Sequence, residues 1–241
     1  MSRNIIPALK EPVILILAAI APAIAMLVYI YKTDKHEKEP VPLIRKLVFA
    51  GVLSCLPAIV LETVSQDVFL PYAPIESPVV YMVIIAILTG LIEEACKFYF
   101  MKRNTWNNAD FNYRYDGVVY AVAVSLGFAA FENIFYVLQY GLATAGLRAV
   151  LAIPGHMSFA VAMGVFYGRA KIADVWGDDK GAKRNLVYGY LAATALHSFY
   201  DATALVGTDT AMILFVIFIV LMYIGIYRLI RKESRSDEPI F

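Results

Sequence analysis

The sequence has few charges for its length. Only 17% of its 241 residues are Asp, Glu, Lys or Arg, whereas 60% are hydrophobic. This composition excludes an ordinary soluble domain and predicts a polytopic membrane protein. The net charge is only +1 at neutral pH, so the composition gives no indication of a nucleic-acid partner.

Several features that would indicate other chemistry are also scarce or absent. The chain has two cysteines, Cys55 and Cys96, and both fall in apolar segments, which predicts buried and inert thiols. There is no glycine-rich phosphate-binding loop, no internal repeat and no low-complexity segment. Ser158 and Ser198 lie near histidines but form no triad pattern, so nucleophilic serine chemistry is not indicated.

Long apolar runs, by contrast, are abundant. A spanning helix needs roughly 20 mainly apolar residues. The sequence therefore predicts an all-α bundle of about seven transmembrane helices in a single domain, residues 1–241, with a core at 12–230 and a short polar cytoplasmic tail at 231–241. The first helix could instead be a signal peptide, although the basic stretch after Tyr31 favours a retained helix. The predicted spans are 12–31, 43–63, 78–101, 117–139, 147–169, 186–206 and 210–230.

The distribution of basic residues predicts the orientation in the membrane. The chain contains 21 lysines and arginines, and only Arg3, Lys10 and Arg148 fall in segments assigned to the outside when the amino terminus is placed outside. Connections on the cytoplasmic side of bacterial membrane proteins are enriched in Lys and Arg. We therefore expect an integral membrane protein with its amino terminus outside and its carboxyl terminus in the cytoplasm.

Ionisable residues inside the membrane are confined to predicted helices three to six. Each would cost roughly 2.5–3.5 kcal/mol at the centre of the bilayer if it had no partner. Helical spacing places Glu93 beside Lys97, and His197 beside Asp201. These side chains are therefore predicted to share one interior site in the middle to outer half of the membrane. The set comprises Glu93, Glu94, Lys97, Glu132, His156, His197 and Asp201.

The composition of this set indicates hydrolysis. Four carboxylates face a single lysine, so protons or a metal ion are needed to offset the negative charge. Imidazoles beside carboxylates are the donor set that Zn²⁺ takes in hydrolytic sites, where the metal activates a water. Without a metal, a carboxylate could activate the water directly. The residues leave these two routes open.

The ordered motifs resemble the PrsW family of intramembrane proteases, over about residues 28–205. The resemblance implies a protease of a bacterial or archaeal cell membrane, and family members include site-1 proteases that cut membrane-anchored anti-sigma factors in stress responses. It also implies a relation to CAAX prenyl proteases and bacteriocin-processing proteins, whose pattern runs EExxxR, FxxxH, HxxxN. The motifs are DKHEKEP at 34–40, EExxK at 93–97, FENIFY at 131–136, the His156 segment and HSFYD at 197–201.

This chain departs from the wider pattern by adding negative charge. Glu132 lies where FxxxH would have its second polar residue, and Asp201 replaces the Asn of HxxxN. These extra carboxylates favour a divalent metal, with zinc as the first choice, over the metal-free glutamate mechanism that the CAAX-type relatives suggest.

The working hypothesis is therefore an endopeptidase that cleaves a single-pass membrane protein near the outer face, within the lipid bilayer. Glu93 or Glu94 would be the base, with Lys97 as its partner and Asn133 as an oxyanion donor. The alternatives are a seven-span metal-dependent lipid hydrolase and a non-enzymatic proton-relay or transport protein. The sequence gives no oligomeric state. The candidate metal ligands are Glu132, His156, His197 and Asp201.

Overall fold

A computed structural model of the chain describes residues 5–241, with side chains from Pro12 onward. Within these residues the regular structure is helical apart from one isolated β-bridge, which joins Tyr113 to Pro239. The predicted all-α architecture is thus confirmed. The helices are α1 (Ile5–Thr33), α2 (Val41–Thr63), α3 (Pro78–Thr105), α4 (Asp116–Tyr140), α5 (Leu142–Val150), α6 (Ala152–Val175), α7 (Asp179–Leu205) and α8 (Asp209–Arg235).

Six helical segments in the described part of the chain are long and apolar enough to cross a membrane. The remaining long helix, α7, has 27 residues but is less apolar, because charged residues fill its first turns and it carries His197 and Asp201. The fifth predicted span is divided by a break at Leu151 into the short α5 and the long α6. Arg3, which the orientation argument counted as an outside residue, and the side chain of Lys10 lie outside the described residues.

Helices α4 and α6 form the centre of the bundle. About 72% and 67% of their apolar windows are buried, compared with 17–33% for the other spans. Small residues allow the close contacts, as is usual between membrane helices. A Cβ at Gly117 would lie 2.7 Å from the carbonyl oxygen of Gly164, and one at Gly127 would collide with the carbonyl oxygen of Val48 on α2. These glycines therefore set how closely α2, α4 and α6 approach.

The polar tail is not a free extension of the bundle. After α8 ends, the tail pairs with the connection between α3 and α4: the backbone N–H of Ile240 donates to the Asn112 carbonyl at 2.8 Å. The backbone N–H of Tyr115 donates to Asp237 Oδ1, also at 2.8 Å. The Ile240 side chain is 1% exposed and joins the main apolar core. The tail thus fixes the end of α4 opposite to Glu132.

This docking predicts that removal of residues 236–241 destabilises the protein. Full burial of an isoleucine contributes about 1.5–3 kcal/mol, and each kcal/mol shifts the melting temperature of a chain of this size by about 2–4 °C. We expect thermal unfolding in detergent to shift downward by roughly 3–12 °C. Deletion of Phe241 alone is the control, because this residue is 75% exposed and should be dispensable. Equal melting temperatures for the two truncations would contradict the docking.

Candidate active site

The glutamate pair of α3 is held by the lysine one turn further along the same helix. Lys97 Nζ donates to Glu93 Oε2 at 2.9 Å and to Glu94 Oε1 at 2.8 Å. It also lies 3.2 Å from His156 Nδ1 on α6 and 4.2 Å from the centroid of the Phe128 ring on α4. The ammonium group is almost completely buried. One cation therefore connects three helices at the centre of the bundle.

His197 extends this network to α7. Its Nδ1 lies 2.9 Å from Glu94 Oε1. Its Nε2 lies 3.3 Å from Asp201 Oδ2 and 3.9 Å from Glu93 Oε2. The ring of Phe159 stacks on the imidazole with a centroid distance of 4.7 Å and an interplanar angle of 19°. The imidazole is thus held in a fixed plane between carboxylates from two helices.

Glu132 makes a second carboxylate–histidine pair with His156. Glu132 Oε2 lies 3.1 Å from His156 Nε2 and forms an ion pair at 3.0 Å with Arg148. The neighbouring Asn133 points elsewhere: its Nδ2 donates to the Ala19 carbonyl at 2.7 Å, and its Oδ1 accepts from Arg148 Nε at 2.7 Å. Both ends of the Asn133 amide, the predicted oxyanion donor, are therefore occupied, by the Ala19 carbonyl and by Arg148.

The network borders a cavity of about 690 Å³. The cavity lies at the end of the bundle where α2, α4 and α7 end and α3, α6 and α8 begin. Glu93 lines it, whereas Glu94 and Lys97 are buried next to it and do not contribute to its wall. The polar residues of the wall are Glu62, Gln66, Thr89, Glu93, Glu132, Tyr136, Arg148, His156, His197, Tyr200 and Asp201.

A close approach of α3 to α7 brings the glutamates to His197. The contact is centred on Gly90, one turn before Glu94. A Cβ at Gly90 would collide with the Ser198 hydroxyl and lie 3.2 Å from the Ser198 backbone nitrogen. A glycine is required here because the backbones themselves are in contact.

Seven of the eight residues predicted for the site are linked in one network, whereas Asn133 touches that network only through Arg148. Sequence reasoning missed Arg148, which served only as a marker of the outer side, and Glu62, which falls in the predicted span 43–63 and was not included in the set. Arg148 is a lone cation on the predicted outer side, which has few other basic residues. This isolation could have indicated that Arg148 has a specific partner. Glu62 has no helical-spacing partner to single it out.

The donor set fits a metal ion. One ligand atom from each of Glu93, His156 and His197 lies within 4.8 Å of the others, and all three residues are buried. Three protein ligands facing an accessible space are typical of catalytic zinc sites, whereas structural sites are closed by four ligands. Each histidine also has a carboxylate at its other ring nitrogen, as metal-bound histidines usually do. A metal site is therefore possible in this cluster.

Comparison with known proteins gives the family. The profile of the PrsW family intramembrane metalloproteases matches residues 39–226. This range covers more than half of the chain and includes every predicted site residue. The chain therefore belongs to the PrsW family: it is an intramembrane protease, a hydrolase of peptide bonds that acts on a membrane protein substrate.

Curated relatives named Protease PrsW are similar in sequence to this chain over most of their length. The relative from Halalkalibacterium halodurans is 32% identical over 223 residues, which cover 92% of this chain and 98% of the relative. The relative from Bacillus subtilis is 32% identical over 225 residues, covering 92% and 96%. The relative from Geobacillus kaustophilus is 35% identical over 187 residues, or 78% of each chain. No significant match exists among solved structures.

The contact at Gly90 predicts that a side chain there separates α3 from α7. Gly90→Val should lower the stability of the protein by about 1–3 kcal/mol through overpacking, measured as a lower melting temperature in detergent. Gly225→Val on α8 is the matched control, because a Cβ at Gly225 meets no atom within 4 Å. If the two variants melted at the same temperature, the α3–α7 contact would not be as tight as described.

Proposed function

We propose that this protein cleaves a single-pass membrane protein, of the anti-sigma-factor type, near the outer face of the membrane. The observation that carries the proposal is the water-accessible cavity lined by Glu93, His156 and His197. A helical segment of the substrate would have to unwind locally so that one of its peptide bonds is exposed to this cavity. A single-pass anchor meets that requirement most simply, because it has no neighbouring helices of its own to restrain it.

The distribution of charge supports the orientation. The cavity lies at the end of the bundle that carries the connections between α2 and α3 and between α7 and α8. Neither connection, at 64–77 and 206–208, contains a lysine or an arginine. Connections without basic residues are typical of the outer side of a bacterial membrane. The amino terminus is then outside, the carboxyl terminus is cytoplasmic, and cleavage takes place on the outer side.

The two glutamates are proposed to have different roles. Glu93 faces the cavity and can accept the proton of an attacking water. Glu94 is fully buried and holds Lys97 and His197 in place. His197 faces the cavity on its Nε2 side, where it can donate to the developing oxyanion or to the leaving group. This division supports Glu93, rather than Glu94, as the proposed base.

A metal ion, with zinc as the proposed species, would be held by Glu93, His156 and His197. When bound there it would supply a Lewis acid that lowers the pKa of a water molecule. In that case Asp201, which lies beside His197 at the cavity wall, is the carboxylate that remains to accept the proton. Glu132 would then orient His156 from its other ring nitrogen.

The roles of the glutamates predict the effect of conservative substitutions. The substrate can be found by proteomics. A strain that lacks this protein is complemented either with the wild type or with the double variant Glu93→Gln, Glu94→Gln, and the membrane proteins of the two strains are compared.

Cleavage of that substrate should then fall by about 10²–10⁴-fold in Glu93→Gln, because a general base is removed. Glu76→Gln, at an exposed position in the connection before α3, is the control. Full activity in both Glu93→Gln and Glu94→Gln would refute the assignment.

The metal proposal is tested by metal analysis of the purified protein. We expect about one zinc per chain, and loss of it in His156→Ala and in His197→Ala. The chain has three histidines, so His36→Ala provides the control, because His36 is exposed at the other end of the bundle. Protein that contains no metal and keeps its activity in strong chelators would instead support direct activation of water by Glu93.

A further inference from the structure

Arg148 is held from three directions at the end of α5. Its Nη2 forms the ion pair with Glu132 at 3.0 Å, and its Nε donates to Asn133 Oδ1 at 2.7 Å. The centre of the guanidinium lies 4.0 Å from the centroid of the Tyr136 ring. The side chain is only 15% exposed although it borders the cavity. A guanidinium fixed in this way acts as an anchor for its partners rather than as a free charge.

The partner that matters is Glu132, because the same carboxylate oxygen contacts both Arg148 and His156. Glu132 Oε2 lies 3.0 Å from the guanidinium and 3.1 Å from His156 Nε2. The Glu132 side chain is 25% exposed at the cavity wall. Without the arginine, this carboxylate would be free to turn towards water.

The contact between Lys97 and His156 Nδ1, on the side of the ring away from Glu132, identifies which ring nitrogen carries the proton. Lys97 has three N–H donors and three neighbours, namely Glu93, Glu94 and His156 Nδ1. An ammonium group only donates hydrogen bonds, so Nδ1 must accept with its lone pair. The ring proton is then on Nε2 and is donated to Glu132.

We infer that Arg148 is a positioning residue of the active site: it holds Glu132 so that His156 keeps its proton on Nε2 and directs the Nδ1 lone pair towards Lys97. The inference rests on the proposed function only in treating His156 as a residue of the active site. Either mechanism needs this arrangement. A metal ion requires a bare nitrogen, and without a metal that nitrogen is the third acceptor that holds Lys97 beside the glutamates.

The experiment measures the tautomer directly. Because the chain has only three histidines, protein labelled with ¹⁵N-histidine gives three sets of ring signals in NMR. We expect a protonated Nε2 on His156 in the wild type, and a mixture of tautomers in Arg148→Gln. Zinc affinity, measured against a competing chelator on metal-stripped protein, and substrate cleavage should both fall by about 10–100-fold, the usual effect of losing a carboxylate partner of a histidine ligand.

A double-mutant cycle separates positioning from a general structural effect. If Arg148 acts through Glu132, the double variant Arg148→Gln, Glu132→Gln should cleave no more slowly than Glu132→Gln alone. Arg148→Lys should restore part of the activity, because it keeps the charge but not the two-pronged geometry. Arg114→Gln is the control, since it removes a similarly buried arginine that pairs with Glu233 at the other end of the bundle; it should leave the His156 signals and the zinc affinity unchanged.

Three results would overturn the inference: a wild-type His156 protonated on Nδ1, unchanged His156 signals in Arg148→Gln, or fully additive losses in the cycle. Failure of the proposed function gives a different result. In that case His156 keeps its proton on Nε2 in the wild type and loses this preference in Arg148→Gln, while the wild-type chain cleaves no membrane protein.

Discussion

The arrangement of the site depends on the buried ammonium group of Lys97. A lone ammonium in the membrane interior is costly unless each of its donors has an acceptor. Here Glu93, Glu94 and His156 supply the three acceptors. Because these acceptors come from α3 and α6, and Glu94 in turn binds His197 on α7, satisfying one cation fixes the relative positions of three helices. The geometry of the proposed catalytic groups follows from that single requirement.

The same requirement separates a rigid interior from a hydrated wall. Glu94 and Lys97 are excluded from the cavity and are held by neighbours on every side except at Glu94 Oε2, which has no partner among the described residues. Glu93, His197 and Asp201 line the cavity. Removal of one partner from a buried charged pair costs more than the pair itself contributes, because the other charge is left alone. The interior residues therefore act as the scaffold for those that face water.

Much of this could be predicted from the sequence because the membrane makes polar groups costly. That cost identified Glu93, Lys97 and His197 as partners in one site, and apolar length identified the spans. The rest depends on tertiary contacts. Asn133 follows Glu132 directly, and adjacent helical residues point about 100° apart, so only one of them could face the site. The break at Leu151 and the docking of the tail have no comparable signal in local composition.

Arg148 changes the charge balance of the site, and this bears on its chemistry. The sequence alone suggested four carboxylates, Glu93, Glu94, Glu132 and Asp201, against the single charge of Lys97. The structure adds the guanidinium of Arg148 to the same network, so that the formal charges of the network are −4 and +2 and leave −2, without counting Glu62 on the cavity wall. A divalent cation offsets that remainder, and the donor atoms of Glu93, His156 and His197 are near enough to share one. However, His156 Nδ1 has one lone pair, and Lys97 uses it here. Metal binding through this nitrogen would therefore require Lys97 to release His156 while keeping the two glutamates, so the lysine and the metal would compete for one histidine.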